Sequence, residues 1–302
     1  MRMFKIQKLD KISPSGLARF PADLYEHAAD IANPDAILVR SADMLSMDLP
    51  SSLLAIARAG AGVNNIPLET CSKRGIVVFN TPGANANAVK ELVILSLLIA
   101  SRKVSEGITW AKSLAGKGEE VPLIIEKDKS NFIGPEIMGK KLGVIGLGAV
   151  GHLVANDALS LGMDVSGYDP YISVEAAWGL SRSVRRATSL DSLISESDYI
   201  TLHAPLNDRT KGMINKDKFA LMKRDVRIMN FARGGLVNNR DLKEAIKNGI
   251  VACYVTDFPD DELLRMDGVI PIPHLGASTP ESEENCARMA VDQLREFLER
   301  GN

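Results

Sequence analysis

Cysteine is scarce in this chain of 302 residues: Cys71, Cys253 and Cys286 are widely spaced and odd in number. That excludes a disulfide framework, and the absence of any C-x-x-C pair leaves no zinc signature, so no metal is expected. A reducing setting, and with it a cytoplasmic location, is the expectation. An excess of one charge is also missing, because 36 Lys and Arg face 38 Asp and Glu for a formal charge of −2. Such a chain has no electrostatic footprint for a polyanion, and no nucleic-acid partner is expected. Long apolar runs are absent too. The longest, Leu92–Ala100, contains a serine and is too short to cross a bilayer, so no membrane partner is expected. The first ten residues mix charge among apolar side chains and do not read as a signal peptide. There is no internal repeat and no low-complexity tract.

What is present is an ordinary globular composition, 45% hydrophobic and 25% charged. At roughly 150 residues per domain, the length fits about two domains. Short β-branched runs at Ala36–Arg40, Leu53–Arg58 and Gly75–Asn80 alternate with stretches of helical spacing such as Pro21–Ile31. Asn85–Lys103, apolar on most sides after a Pro-Gly turn, reads as a buried helix, and Lys112–Lys140 as a connecting segment that could hold a short helix. From Leu142 the alternation resumes. Strands are expected at Leu142–Ile145, Asp164–Tyr168, Tyr199–His203, Val226–Phe231, Val251–Thr256 and Val269–Ile272. Ser282–Arg300 reads as an amphipathic helix capped by Ser278 or Thr279, with Pro280 in its first turn. The fold class is α/β, with mostly parallel sheets covered by helices on both faces.

The strongest motif is G-x-G-x-x-G at Gly146, Gly148 and Gly151. The string alone is weak, but here it follows a strand and opens a helix, and Asp169 closes the next strand. In a dinucleotide fingerprint the first glycine permits the tight turn and the second lets backbone approach a pyrophosphate. The third lets helix and strand pack closely. The helix N-terminus then offers amides and a partial positive charge to the phosphates. A carboxylate at Asp169 suits adenosine ribose hydroxyls and repels a 2′-phosphate, which favours NAD over NADP.

Ligands of open α/β sheets bind at the carboxyl ends of strands. There this sequence places His203, then Ala232-Arg233, then Asp257 with Asp260, Asp261 and Glu262, then His274. An Arg forks onto a carboxylate, a His gives or takes a hydroxyl proton, and a carboxylate behind the His fixes its tautomer. That set suits hydride transfer at a 2-hydroxy or 2-keto acid with nicotinamide carrying the hydride. Chemistry alone does not choose among the carboxylates. His203 reads as structural or close to the cofactor, and His27 and His152 as helix-surface residues.

The runs ARAGAGVNNI (57–66), NTPGANANAVKEL (80–92), GVIGLGAVG (143–151), NFARGGLVN (230–238) and PHLGAST (273–279) span most of the chain. In order and content they resemble the D-isomer-specific 2-hydroxyacid dehydrogenase family, and PHLGAST looks most like its phosphoglycerate dehydrogenases. The resemblance implies a catalytic trio of Arg233, Glu262 and His274. Glu262 lies five residues beyond Asp257, but TDFPDDELL departs from the commoner D-V-F-x-x-E-P, and a one-residue shift would make the carboxylate Asp261. Beyond Gly146, Gly148, Gly151 and Asp169, it implies cofactor contacts at Ala61, Ala149, Val150, Ala204, Phe231, Ala232, Asp257 and Gly276. Substrate-binding positions fall at Arg40, Ser41, Arg58, Gly60 and Gly62.

The resemblance further implies two Rossmann-like or flavodoxin-like domains with a cleft between them: residues 1–88 and 275–302 for substrate, 89–274 for NAD. A homodimer through the nucleotide domain is typical of such proteins. Many phosphoglycerate dehydrogenases carry a further C-terminal regulatory domain, whereas this sequence stops just after its last helix. The expected reaction is oxidation of 3-phospho-D-glycerate to 3-phosphohydroxypyruvate, with NAD as cofactor. The alternatives are another D-2-hydroxyacid (glycerate/hydroxypyruvate or D-lactate) and an NAD(H)-sensing binding protein.

Overall fold

A computed structural model describes residues 2–301. The chain forms two compact units: the first holds the residues up to Ala88 and those from Ala277 onward, the second is Val89–Gly276.

In the first unit five strands lie parallel in the order β2-β1-β3-β4-β5. They are β1 (Phe4–Lys8), β2 (Tyr25–Ala28), β3 (Ala36–Val39), β4 (Ala55–Arg58) and β5 (Val77–Phe79). The central strand β3 is buried on both faces, and the two-residue period of a strand sorts its side chains. Ala36 and Leu38 join a core with Cys286, Ala290, Val291 and Leu294 of the terminal helix, while Ile37 and Val39 join one with Cys71. Helices α1 (Pro14–Leu17) and α2 (Leu68–Arg74) flank the sheet, and the terminal helix spans Pro280–Arg300. Thr279 caps it by accepting the Ser282 N–H at 3.1 Å, with Pro280 in the first turn.

One sequence expectation fails here. Pro21–Ile31 is not a helix, because Tyr25–Ala28 forms edge strand β2, paired with Phe4–Gln7. Phe20, Leu24 and Ala28 imitate the i, i+4 spacing of a helix face. What decides instead is Tyr25, whose buried ring packs 4.7 Å from Phe20 and 5.5 Å from Phe4 and whose hydroxyl donates to Glu299 at 3.0 Å. His27 therefore sits on an exposed strand edge, not on a helix.

The second unit contains seven parallel strands in the order β12-β11-β10-β9-β6-β7-β8. They are β6 (Lys141–Ile145), β7 (Asp164–Tyr168), β8 (Arg185–Arg186), β9 (Tyr199–Leu202), β10 (Val226–Asn230), β11 (Val251–Thr256) and β12 (Val269–Pro271). The chain runs outward from β6 through β7 to β8, then returns to β9 on the opposite side of β6. That reversal is the topological switch point at which ligands bind in doubly wound sheets. The strands alternate with helices α3 (Ala86–Ser101), α4 (Val104–Ser113), α5 (Val121–Asp128), α6 (Gly151–Ser160), α7 (Val174–Gly179), α8 (Leu190–Glu196), α9 (Lys216–Leu221) and α10 (Asn239–Lys247); the terminal helix above is α11. Val93 and Leu97 of α3 pack with Val154 and Ala158 of α6 against Val144 and Val165. On the other face, Leu193, Phe219 and Leu242 pack against Ile200, Ile228 and Tyr254.

Two further expectations are revised. Helix α3 is buried along one stripe only, since Leu95 and Leu98 are exposed; the sheet takes one face of it. The segment read as a connection is largely helical, made of the end of α4, α5 and two single 3₁₀ turns. The three cysteines are free and buried. Among the described residues no helix is long and apolar enough to cross a membrane, and no cluster of side chains is suited to a metal ion.

Candidate active site

The glycine loop occupies the switch point at the end of β6. Gly146 holds φ = 89°, and a Cβ there would come 2.8 Å from the His203 backbone. A Cβ on Gly151 would come 1.9 Å from the Gly146 carbonyl oxygen. Gly148, by contrast, is exposed, with nothing within 4 Å of the place its Cβ would take. The first and third glycines thus close the turn, and the second leaves open ground beside Ala149 and Val150. In the first turn of α6 the N–H groups of His152 and Val154 donate to the Gly148 and Val150 carbonyls at 3.3 and 3.0 Å, while those of Gly151 and Leu153 make no hydrogen bond among the described residues. This cradle fits a diphosphate: packing forbids side chains where the loop folds and leaves space where a ligand would approach.

Asp169 closes β7 beside this loop. Its Oδ2 accepts the Leu147 N–H and its Oδ1 the Tyr171 N–H, both at 2.8 Å. The carboxylate is held in place by backbone donors, which fixes its direction. His152 lies in the first turn of α6, with its Nδ1 2.8 Å from the Gly148 carbonyl oxygen. His203 ends β9 and pairs through Nε2 with Thr201 Oγ1 at 2.9 Å. Burial pushes its pKa down to about 4, so it is neutral near pH 7. It belongs to the scaffold under Gly146 and Ala204 and is unsuited to proton exchange at neutral pH.

The ends of β10, β11 and β12 carry the ionisable groups. Asn230 organises the first turn: its Oδ1 accepts the N–H groups of Ala232 and Arg233 at 3.2 and 3.4 Å, and its Nδ2 donates to the Arg233 carbonyl at 2.9 Å. Thr256 ties β11 to β10 by donating its hydroxyl to the Asn230 carbonyl at 3.0 Å. Beyond these anchors Arg233 is exposed, while Phe231 is buried beneath the turn. Asp257 is 2% exposed, and its Oδ1 has no hydrogen-bond partner. Burial raises its pKa, and the neighbouring His274, the Gly276 N–H and Arg233 offset part of that rise. A Cβ on Gly276 would sit 3.2 Å from Asp257 Oδ2. His274 itself is exposed, with its ring 4.5 Å from that of Phe258.

The structure therefore brings Arg233, Asp257 and His274 around Phe258. Glu262 is exposed and lines a surface cavity of about 510 Å³ together with Phe258, Gly234, Lys211 and Leu263. No hydrogen bond or ion pair engages its carboxylate among the described residues. Its neighbours are committed elsewhere: Asp261 pairs with Arg265 at 2.9 Å, and Asp260 accepts from Asn239 Nδ2 at 2.7 Å and the Leu263 N–H at 2.9 Å.

In the first unit, the loops after β3 and β4 carry the remaining positions. Asp10 accepts the N–H groups of Arg40, Ser41 and Ala42 at 2.6 to 3.2 Å. The Arg40 guanidinium pairs with Glu283 at 2.8 Å. Arg58 folds over its own loop, donating to the carbonyls of Arg40 at 2.9 Å and Gly62 at 2.6 Å. Gly60 accepts from the Thr81 N–H at 3.1 Å and Ala61 from Asn80 Nδ2 at 2.7 Å. Sequence reasoning passed over Asp10, Asn230, Thr256 and Phe258. Asn230 lies inside the NFARGG run and Thr256 and Phe258 inside TDFPDDELL, but the reading of neither run singles these residues out, and Asp10 carries no motif signal.

Residues 94–276 match the model of the D-isomer specific 2-hydroxyacid dehydrogenase family, NAD binding domain. The D-3-phosphoglycerate dehydrogenase of Methanocaldococcus jannaschii is 36% identical over 89% of this chain and 50% of its own length. That of Bacillus subtilis is 33% identical over 98% of this chain and 57% of its own length. The chain spans about half the length of the curated relatives it matches. Among solved structures, NAD⁺-bound 3-phosphoglycerate dehydrogenase of Entamoeba histolytica superposes with a TM-score of 0.76 at 25% identity, covering 99% of this chain and 97% of that one. The chain belongs to the D-isomer specific 2-hydroxyacid dehydrogenase family, with its NAD-binding domain in the second unit.

Proposed function

We propose that this chain oxidises 3-phospho-D-glycerate to 3-phosphohydroxypyruvate with NAD, the reaction that leads into serine synthesis. The observation that carries the reading is the array of Arg233, Asp257 and His274 on adjacent strand ends, two strands from a diphosphate cradle, in a chain whose relatives bear that name.

Gly146, Gly148, Ala149, Val150 and Gly151 would hold the diphosphate, and Asp169 the adenosine ribose. Ala61, Ala204, Phe231, Ala232, Asp257 and Gly276 would line the rest of the cofactor. When bound, NAD supplies the acceptor for the hydride that leaves C2 of the substrate. Arg233 pairs its planar fork with the substrate's carboxylate and polarises the C2 oxygen. His274 takes the hydroxyl proton. Glu262 is the proposed carboxylate partner that stabilises the protonated imidazole; Asp257 already stands beside His274. Arg40, Ser41, Arg58, Gly60 and Gly62 are assigned to the substrate's anionic groups, for which Arg40 must exchange its contact with Glu283. By the same likeness, residues 1–88 and 275–302 form the substrate-binding domain and 89–274 the NAD domain of a cytoplasmic homodimer.

The test is the appearance of NADH absorbance with 3-phosphoglycerate against D-glycerate and D-lactate. A strong preference for the phosphorylated acid supports the reading. Equal rates with all three move the assignment to a general 2-hydroxyacid dehydrogenase. Tight NADH binding without turnover on any acid overturns it in favour of a sensor.

A further inference from the structure

Phe258 occupies the point where two of the proposed reactive side chains meet. Its ring centroid lies 4.5 Å from that of His274, at an interplanar angle of 57°. The Arg233 Cζ lies 6.0 Å from the same centroid. Little else restrains either side chain. Among the described residues His274 makes no hydrogen bond, and the Arg233 guanidinium donates from Nη1 to the adjacent Ala232 carbonyl at 2.6 Å.

The ring is anchored from behind. The Phe258 N–H donates to Thr256 Oγ1 at 3.1 Å, and that hydroxyl donates to the Asn230 carbonyl. Asn230 in turn holds the backbone of Arg233 at 2.9 Å. One buried tie thus fixes the base of the ring and the base of the arginine together. Gly234 supplies the clearance, since a Cβ there would sit 3.3 Å from Phe258 Cβ. The face of an aromatic ring attracts a guanidinium and, when it is protonated, an imidazolium.

We propose that Phe258 is a positioning residue that sets the spacing of the Arg233 and His274 side chains by holding both against one ring. Asp257, buried beside His274, supplies the charge in this group and Phe258 the geometry. The kinetic consequence rests on the dehydrogenase reading; the geometric claim does not. Misplacing a reacting group by about 1 Å costs roughly a hundredfold in rate.

Phe258→Leu keeps apolar bulk and removes the ring, and Phe258→Tyr keeps the ring. In the leucine variant kcat should fall about tenfold to a hundredfold while the NADH Kd holds, and the tyrosine variant should restore kcat. Proton NMR reads the placement directly. The His274 imidazole resonance, assigned by its loss in His274→Gln, should move in Phe258→Leu, where the ring's shielding is gone, and stay in place in Phe258→Tyr. A resonance unmoved in Phe258→Leu overturns the proposal. So does an unchanged kcat in that variant, or an equal fall in kcat and NADH affinity in both variants. If the unmodified protein turns over no 2-hydroxyacid, the dehydrogenase reading falls, and the resonance alone then decides whether Phe258 places His274.

Discussion

The carboxyl edge of the seven-stranded sheet has two unlike halves. At β6, β7 and β9 the polar groups are satisfied: Asp169 accepts two backbone N–H groups, and His203 is paired with Thr201 and kept neutral. At β10, β11 and β12 two of them are not: Asp257 holds a buried oxygen without a partner, and His274 makes no hydrogen bond among the described residues and stands against the Phe258 ring. A half that binds gains from rigidity, because every donor set in place beforehand lowers the entropy lost when a ligand arrives. In the proposed chemistry the second half would move protons, and there burial of Asp257 raises its proton affinity.

The sharpest way to break this contrast is to exchange histidine roles. His274→Ala should lower kcat by about two to four decades with little change in NADH affinity, the scale of a lost general acid–base group. Turnover like that of the unmodified protein would remove His274 from the chemistry.

His203 should act on stability instead. Its folded pKa of about 4 lies below the roughly 6.5 of an unfolded chain, so the folded state binds fewer protons between those values. The stabilisation is fully present above about pH 6.5 and is lost as pH falls towards 4, by up to ~3 kcal/mol. Urea unfolding of His203→Gln and the unmodified protein at both ends of that window measures it. Parallel acid slopes in the two proteins would assign the loss to other groups.

Gly151→Ala probes the rigid half, because its methyl would collide with the Gly146 carbonyl. The cost should be about 1–3 kcal/mol of stability, with weakened NADH binding. Unchanged thermal unfolding and titration would show that the loop yields. The smallest effect is expected at Asp169→Ala: roughly tenfold weaker NAD binding and a relaxed bias against NADP, about the worth of one charge-assisted hydrogen bond. Unaltered cofactor selectivity in competition binding would remove Asp169 from ribose recognition.

Much of the fold was legible because it rests on local pattern. The β-branched runs that form β6, β7, β9, β10 and β11 carry their own strand signal, and the glycine loop sits between a strand and a helix as its spacing demands. Strand β2 was hidden because its exposed edge lacks alternation and its apolar residues repeat at helical spacing. The candidate site was legible as residue types at strand ends. The tie between Asn230 and Thr256, and the meeting of Arg233, Phe258 and His274, depend on parallel register between strands far apart in the chain, which no local pattern encodes. Nor does the sequence distinguish the carboxylate that is buried beside His274 from those committed to solvent-side pairs, since Asp257 and Asp261 differ only in what surrounds them.

The three thiols divide the molecule into separately readable parts. Cys71 and Cys286 lie on opposite faces of the five-stranded sheet, and Cys253 lies under the seven-stranded one. Burial raises the pKa of Cys71 and pushes that of Cys253 up to about 12, so each stays protonated and inert until its surroundings open. Rates of thiol modification under native conditions therefore report the opening free energy of three regions independently, without any added label. A ligand that stiffens only the second unit would slow Cys253 and leave the other two at their own pace.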